Sequence, residues 1–244
     1  MIRGIFTSAS GMISEQRRLD VIGSNVSNIN TAGYKSDTLE LKAFDQELTS
    51  RMGEGAAVGT TTIGTTPYAR YTDLSQGTYQ QTNLDTDLAV NGDGFFAVQD
   101  TSGTVKYTRD GSFVVDAQGC LSLNSGERLL GANGQPLYVG TDRFTVSPSG
   151  AVTVGGNAAG QIDLYASAAA GGVAKRDDGF FDLTGPQRAG GTLRQGWVEG
   201  SNVDLVTSVT EMMSATRSFQ ANQSAYKSTE ETLDKLVNLV GTLR

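Results

Sequence analysis

The strongest constraint on the fold is a repeating apolar pattern over residues 201–244, where large and apolar side chains recur at alternating steps of four and three. This spacing predicts a long amphipathic helix with a coiled-coil-like seam, uninterrupted by Gly or Pro before Gly241. Ser201 or Asn202 is placed to accept hydrogen bonds from the first-turn amides, and Asp204 lies near the positive helix end. At ~1.5 Å per residue the helix would be roughly 55 Å long, too long for one domain to cover. The predicted seam consists of Leu205, Val209, Met212, Thr216, Phe219, Gln223, Tyr226, Glu230, Leu233, Val237 and Val240.

A weaker apolar stripe lies near the other end of the chain, within residues 2–26. Its Gly4, Gly11 and Gly23 each cost about 1 kcal/mol relative to Ala in a helix interior, so this helix should be marginal until another surface packs against it. One interpretation is that both helices dock separately on a globular body. Because two stripes bracket the chain, we favour pairing of the helices with each other and with further partners. The stripe is formed by Ile2, Ile5, Ala9, Met12, Gln16, Leu19, Gly23 and Val26.

The end of this first helix is marked by the turn-forming residues Ser27–Gly33. Gly33 stands where the chain must reverse away from the helix. The sequence therefore predicts a positive φ at Gly33, a conformation that a β-branched residue would oppose.

The part of the chain between the two stripes is typical of short antiparallel strands. It is rich in Thr, Val, Asn and Gly, and pairs such as Asn91-Gly92 and Asp110-Gly111 indicate tight turns. No helical period is visible in residues 67–198. The sequence thus predicts a mainly β protein with terminal α-helices, in which an antiparallel β domain is inserted into a discontinuous, coiled-coil-like helical domain.

The predicted domain organisation follows from these changes of pattern. Residues 1–35 and 201–244 form the terminal helical assembly domain, and residues 67–200 form the β-rich central domain. Residues 36–66 are predicted to be a flexible connector or arm: the first part suits a short helix or an extended arm, and GEGAAVGTTTIGTT has little to bury. A fragment from about Pro67 to Val198 is expected to fold as a soluble β monomer.

Composition argues against several classes of function. The formal charge of -7 and the pI of about 4.6 argue against nucleic-acid binding, which needs clustered Lys and Arg. The chain has no His and a single Cys, Cys120, so Cys/His metal sites, internal disulfides and Ser–His pairs are not expected. We find no apolar run that could span a membrane and no standard secretory signal peptide. We expect no enzyme, no cofactor and no metal site.

Two acidic groups invite a chemical interpretation. Asp85, Asp87 and Asp93 suggest calcium, but their spacing departs from an EF-hand loop and turn chemistry is the better explanation. Asp177-Asp178 could supply the acid and base of a glycosidase, although adjacent strand residues point to opposite faces. A β-rich surface adhesin or carbohydrate-binding module with helical oligomerisation ends, and a free-standing hydrolase, remain the alternatives.

Four sequence blocks resemble those of bacterial flagellar rod and hook proteins. Ser24–Lys35 (SNVSNINTAGYK) is similar to a signature near the N-terminus, approximately A-N-N-[LI]-A-N-x-N-T-x-G-[FY]-K, and departs from it at Ser24 and Ser27. The blocks occur in the family's order and span nearly the whole chain. The other three are Leu84–Val98 with its core NGDGFF, Tyr107–Phe113 (YTRDGSF), and Glu199–Asp204 (EGSNVD) continuing into the helix through Arg217, Phe219 and Asn222.

The resemblance implies an axial subunit of the flagellar basal body, a proximal or distal rod protein that polymerises helically and transmits torque from motor to hook. It implies passage through the flagellar export apparatus without a cleavable signal, and a location in the basal body outside the cytoplasm. Its implied partners are copies of itself, other rod and hook proteins, and ring proteins around the rod. The terminal helices would form the inner tube and the β domain the outer layer. The expected assembly interface includes Ile5, Met12, Leu19, Val26, Asn28, Gly33, Leu205, Val209, Met212, Phe219, Tyr226, Leu233, Val237 and Val240.

Overall fold

The chain divides into two compact units. The terminal unit comprises Met1–Ser27, Asp37–Asp73 and Asp204–Arg244, and the β unit comprises Asn28–Ser36 and Leu74–Val203. The computed structural model describes the backbone of residues 2–50, 57–169 and 171–241, and the side chains of residues 4–42, 64–169, 171–236 and 238.

The elements of the terminal unit are two long helices and two long strands, and the remaining strands are short and belong to the β unit. The terminal elements are α1 (Ile2–Ser27), β1 (Asp37–Ser50), β2 (Ala57–Thr72) and α2 (Leu205–Gly241). The strands of the β unit are β3 (Tyr79–Gln81), β4 (Leu88–Asn91), β5 (Phe95–Gln99), β6 (Val105–Thr108), β7 (Phe113–Val115), β8 (Leu121–Leu123), β9 (Arg128–Leu129), β10 (Thr145–Val146), β11 (Ala151–Val154), β12 (Asn157–Gln161), β13 (Leu164–Ser167), β14 (Val173–Lys175), β15 (Phe181–Leu183), β16 (Pro186–Arg188), β17 (Thr192–Gln195) and β18 (Trp197–Glu199).

The fold class is confirmed as mainly β with one helix near each end of the chain. The helices pack antiparallel within the terminal unit: a Cβ added at Gly4 would meet Thr229, and one added at Gly11 would lie 2.7 Å from Nδ2 of Asn222. The two glycines therefore mark where the helix backbones approach closely. Among the described residues, neither helix is both long and apolar enough to cross a membrane.

The predicted connector at residues 36–66 differs from the structure. β1 and β2 form a long antiparallel hairpin whose register runs from Asp37 opposite Thr72 to Ser50 opposite Ala57. The Thr, Val and Ile residues of this segment are β-branched. Such residues are favoured in strands, so the segment suits a paired strand although it has little bulk. Two domain boundaries also differ, since residues 67–72 continue β2 and Asn28–Ser36 belongs to the β unit.

A polar cluster holds the open end of this hairpin against α1. The Asn25 side chain accepts a hydrogen bond from the Asp37 amide (3.0 Å) and donates one to the Asp37 carbonyl (2.8 Å). The buried Asp37 carboxylate accepts hydrogen bonds from Arg70 at 2.5 Å and from the Thr72 hydroxyl at 2.6 Å. Asn25, which lies within the first signature block, thus satisfies both backbone groups at the start of β1.

The β unit is built around β5. This strand pairs antiparallel with β6, β9 and β13, and the path continues outward to β14 and β15 on one side and to β8 and β7 on the other. Smaller sheets pair β10–β11–β12, β17 with β4, and β18 with β3. The core is apolar and runs through these sheets: Leu88, Val90, Phe96, Val98, Phe113, Leu121, Leu123, Leu129, Leu137, Val139, Phe144, Val146, Val152, Ile162, Leu164, Phe180 and Leu193.

Two of the glycine pairs that indicate turns in the sequence do not connect paired strands. Gly92 has a φ of 93°, yet β4 before it pairs with β17 and β5 after it pairs elsewhere. β6 and β7, on either side of Asp110-Gly111, do not pair with each other in the described structure. Neither Asn91-Gly92 nor Asp110-Gly111 therefore joins two strands that pair with each other in the described structure. A local turn cue reports backbone conformation, whereas strand pairing is decided by long-range packing.

Candidate assembly site

The covered face of α2 is offset by one residue from the predicted seam. Met212, Phe219, Tyr226 and Leu233 of the predicted seam are half-buried. Alternate members of the predicted seam are exposed instead: Leu205, Val209, Thr216, Gln223 and Glu230. For the last four of these, the residue one position earlier is covered instead: Ser208, Ala215, Asn222 and Thr229.

The offset has a physical reason in the helix contact. Small or short polar residues on α2 lie where the glycines of α1 bring the two backbones together, as Asn222 does at Gly11 and Thr229 at Gly4. Ala215 lies on the same face and is fully buried. A pattern search that follows only apolar residues misses such positions, because close packing here depends on small volume.

An apolar face of the first turns of α2 stays uncovered in the described chain. Val206 is 74% exposed and Met213 is 53% exposed, and Leu205 and Val209 are also exposed. These four residues define the exposed α2 face. Among the other predicted interface residues of α2, the side chains of Val237 and Val240 lie outside the described residues.

The predicted residues of α1 are only partly covered. Ile5, Met12, Leu19 and Val26, which belong to the stripe predicted from the sequence, are half-buried. Phe6 and Ile13 are exposed. Phe6 and Ile13 line a groove of about 340 Å³ between α1 and β2, together with Ser10, Ser14, Arg17 and residues 64–67.

Asp204, and not Ser201 or Asn202, caps the start of α2. Its carboxylate accepts hydrogen bonds from the Thr207 hydroxyl at 2.5 Å and from the Val206 amide at 3.1 Å. These bonds lower the pKa of the Asp204 carboxyl, the Thr207 hydroxyl contributing most. The prediction that Ser201 or Asn202 caps this helix was therefore wrong. The Asn202 side chain forms hydrogen bonds with Ser36 and Ser75 in the β unit instead.

Gly33 has the positive φ predicted for it. Its φ is 67°, and its amide donates to the Glu199 carbonyl at 2.7 Å. A Cβ at this position would lie 2.2 Å from the carbonyl carbon of Arg109. Gly33 is thus required both by its conformation and by the close approach of another backbone segment. Asn28 begins the same turn, where its carbonyl accepts from the Thr31 amide.

Three charged residues meet in a buried cluster next to Gly33. Lys35 and Glu199 are fully buried and form an ion pair of 2.5 Å, and Arg109 reaches the other Glu199 oxygen at 3.1 Å. Lys35 also donates to the Ser75 carbonyl, and the Gly77 amide donates to Glu199. We call Lys35, Arg109 and Glu199 the charge cluster. Each comes from a different signature block.

Asn202 joins three segments of the β unit close to the charge cluster. Its side-chain oxygen accepts a hydrogen bond from the Ser36 backbone amide at 2.7 Å, and its side-chain Nδ2 donates to Ser75. Its backbone amide donates to the Tyr34 carbonyl. On the same turn, Nζ of Lys175 lies 3.8 Å from the centre of the Tyr34 ring and donates to the Lys35 carbonyl. The first signature block is therefore held at several points by residues distant in sequence.

The sequence interpretation missed these contacts. Lys35, Arg109 and Glu199 lie in recognised blocks, but nothing local shows that they pair. A buried Lys is rare unless it is paired, but nothing in the sequence of the first block shows that Lys35 is buried, so no local signal could have found the cluster.

Asp178, one of the two acidic residues considered for a glycosidase, is held by hydrogen bonds. Burial opposes ionisation of Asp178, but hydrogen bonds from Lys106 and from the Phe180 amide outweigh it and lower the pKa of this carboxyl. A glycosidase acid needs a raised pKa. Burial raises the pKa of Asp110, with a smaller contribution from Asp87, although Asp110 accepts a hydrogen bond from the Ser112 amide. In the part of the chain that is described, no three potential ligands gather for a metal ion.

Comparison with known protein families matches three regions of the chain. Family models match residues 5–35 (flagella basal body rod protein), residues 89–154 (flagellar hook protein FlgE/F/G D1 domain) and residues 194–239 (flagellar basal body rod FlgEFG protein C-terminal). The charge cluster draws one residue from each matched region.

Several curated proteins are similar along their whole length. The flagellar hook-basal body complex protein FlhO of Bacillus subtilis (strain 168) is 31% identical, with 100% of each chain covered. The flagellar basal-body rod protein FlgG of the same organism is 33% identical over 98% of this chain and 99% of its own. The flagellar basal-body rod protein FlgF of Caulobacter vibrioides is 28% identical over 100% of each.

Proposed function

This chain belongs to the flagellar basal-body rod protein family and is a structural subunit of the basal-body rod, and from that premise we propose that copies pack against neighbouring subunits through the exposed α2 face. The observation that carries the proposal is the uncovered apolar surface of Leu205, Val206, Val209 and Met213. Single exposed apolar residues are ordinary on a protein surface, but four on adjoining turns of one helix form a patch that favours a partner.

The energetics support contact between subunits. Burying a Val or Met side chain contributes roughly 1.5–3 kcal/mol before the cost of ordering is subtracted. Four such side chains repeated at every subunit contact would stabilise a polymer appreciably, while leaving the isolated subunit soluble. The same proposal includes coiled-coil-like pairing of the terminal helices. It also assigns six further residues to the interface: Ile5, Met12, Leu19, Phe219, Tyr226 and Leu233.

Val206→Asp tests the exposed α2 face. Because Val206 is 74% exposed, the substitution is expected to change the free energy of unfolding of the purified chain by no more than about 0.5 kcal/mol. In cells that carry only this variant, rod incorporation and swimming are expected to be lost, since a carboxylate would have to be buried between subunits. Electron microscopy of isolated basal bodies and soft-agar motility provide the measurements.

Val206→Leu is the matched control, because it keeps an apolar side chain at the same place and is expected to preserve rods and motility. Complete rods assembled from the Val206→Asp variant would contradict the proposal and leave the patch without a role in assembly.

We further infer that the chain is exported by the flagellar export apparatus and takes its place outside the cytoplasm among other rod and hook proteins, with ring proteins around the rod. The family resemblance supports this route, and the marginal, glycine-containing α1 is compatible with a chain that travels unfolded.

Deletion of residues 7–23 is expected to reduce secretion of the chain at least about tenfold, whereas deletion of residues 205–240 is expected to leave secretion intact, because we place the export information near the N-terminus. Immunoblots of cytoplasmic and extracellular fractions, each with a cytoplasmic marker protein, measure this. Equal secretion of the two deletion variants would contradict the assignment.

A further inference from the structure

We propose that the exposed α2 face of one subunit docks in the groove between α1 and β2 of the next subunit, which we call the α1–β2 groove. The occupant of this groove is thus α2 of a second copy of the chain. The inference rests on the function proposed above, in which the exposed α2 face meets a neighbouring subunit, and it names the surface that the face meets.

The α1–β2 groove is an apolar cleft that already exists in the single subunit. Its volume is about 340 Å³, and Phe6 and Ile13 on its α1 side are 63% and 57% exposed. Its floor is held together, because the buried Ser14 hydroxyl donates to the Thr65 carbonyl at 3.1 Å. Two large apolar side chains thus stay exposed on a preformed surface in the part of the chain that is described.

The spacing of the exposed α2 face fits this groove. Val206, Val209 and Met213 have the i, i+3, i+7 spacing by which an amphipathic helix anchors its apolar face in a groove. At ~1.5 Å per residue, the four residues of the face span about 12 Å, and the groove spans about 16 Å from Phe6 to Arg17. The groove is therefore long enough to hold the whole face.

Charge sets the direction in which the helix lies in the groove. Among the described residues that line it, Arg17 is the charged one, and it lies at the end of the groove farthest from Phe6 along α1. Asp204 is exposed and directly precedes the exposed α2 face. The two opposite charges meet if the neighbour's α2 runs antiparallel to α1, which is also the direction of α2 relative to α1 within one subunit. Docking in this direction therefore keeps all subunits pointing the same way.

The face and the groove lie at different levels of the helix pair, so a subunit does not fill its own groove. Gly11, near the middle of the groove, lies opposite Asn222, whereas Val209 precedes Asn222 by 13 residues, or about 20 Å along the axis. A contact between two unlike surfaces does not close a pair, because it leaves one face and one groove available for further copies. The result is an open, staggered row of subunits.

The size of the contact suits a subunit that assembles only in the rod. The six large apolar side chains of the face and the groove are on average about half exposed, which offers roughly 600 Å² at ~200 Å² for a fully exposed side chain. Stable complexes bury about 1,200–2,000 Å². One such contact is therefore too small to hold two subunits together in solution, and it becomes effective when it repeats beside other contacts.

Disulfide cross-linking in isolated basal bodies tests the docking. Cys120→Ser removes the single native thiol, and Ile13→Cys with Val209→Cys then places one thiol in the groove and one on the face. Oxidised rods of this variant are expected to give a ladder of dimers, trimers and longer species on a non-reducing gel, because each subunit is joined to two others. Within one chain the two positions are roughly 16 Å apart along the axis, beyond the ~7 Å between Cα atoms that a disulfide tolerates.

The pair Ile13→Cys and Glu211→Cys is the matched control. Glu211 is exposed and only two residues from Val209, but at 3.6 residues per turn it lies on the opposite side of α2. We expect its cross-linked fraction to be at least about tenfold lower than that of the pair with Val209.

Arg17→Glu gives a second measurement that needs no thiol. It is expected to reduce the number of complete rods at least about tenfold, because it sets a like charge against Asp204 of the neighbouring subunit. Arg17→Lys keeps the charge and is expected to preserve rods.

The outcomes separate this inference from the function on which it rests. If Val206→Asp blocks rod incorporation but the pair Ile13→Cys and Val209→Cys gives no ladder, the face meets another surface and the docking is overturned. Dimers alone, or an equal ladder from the pair with Glu211→Cys, also overturn it. If the double-thiol variant builds no rods, Arg17 decides: loss of rods with Glu but not with Lys supports the docking, and equal behaviour of the two overturns it. Complete rods from Val206→Asp would instead remove the function proposed for the face, and the docking with it.

Discussion

Replacing Gly33 by Val is expected to destabilise the β unit by more than about 4 kcal/mol, a large share of the ~5–15 kcal/mol that stabilises a typical domain. The φ of 67° costs an L-residue roughly 1–2 kcal/mol, and more for a β-branched one. The larger contribution is steric. The new Cβ would lie 2.2 Å from the Arg109 carbonyl carbon and 2.3 Å from the Asp110 amide nitrogen, which are backbone atoms and cannot rotate away.

Gly134→Val separates the two contributions. Gly134 has a φ of 73°, close to that of Gly33, but a Cβ there would meet no atom within 4 Å. This control is expected to lose only the cost that the backbone conformation imposes on a β-branched residue, roughly 2–3 kcal/mol. Thermal and urea unfolding followed by Trp197 fluorescence measure both variants. Similar losses for the two would show that the contact of Gly33 with Arg109 and Asp110 contributes nothing.

The Gly33 turn shows where sequence reasoning succeeds and where it stops. Its positive φ could be predicted because turn formers and a Gly report local backbone preference. The Arg109 backbone that packs on it could not, since the two residues are joined only by the fold. The same applies to Lys35 and Glu199, whose separation of 164 residues leaves no periodic signal.

The independent folding of a fragment from Pro67 to Val198 is no longer the expectation. Such a fragment lacks Asn28–Ser36, which belongs to the β unit, and it ends one residue before Glu199. Arg109 would then be buried without its carboxylate. The sequence analysis placed this boundary at the end of the strand pattern, whereas the β unit extends to Val203 and includes Glu199.

The long helix was predictable for a different reason. A periodic pattern sustained over many turns determines both the element and its length, and α2 does extend from Leu205 to Gly241. Its inward face was only partly predictable, because two columns of residues, one position apart, both fit alternating steps of three and four. The choice between them is made at the contact with α1, where Gly4 and Gly11 approach Thr229 and Asn222, while the neighbouring Glu230 and Gln223 stay exposed.

Ala215→Asp and Thr216→Asp are expected to behave in opposite ways, although they introduce the same side chain at neighbouring positions of one helix. Ala215 is fully buried against the terminal unit, so a carboxylate there should destabilise the helix pair by about 3 kcal/mol or more. Thr216 is exposed, and its hydroxyl bonds only the Met212 carbonyl four residues earlier in the contacts described, so its replacement should cost no more than about 0.5 kcal/mol.

Loss of helical circular dichroism on heating reports the terminal unit, and Trp197 fluorescence reports the β unit as an internal control. The reverse result, with Thr216→Asp sensitive and Ala215→Asp tolerated, would restore the seam predicted from the sequence. The structure favours the first result because the side chain of Ala215 is fully buried and that of Thr216 is exposed.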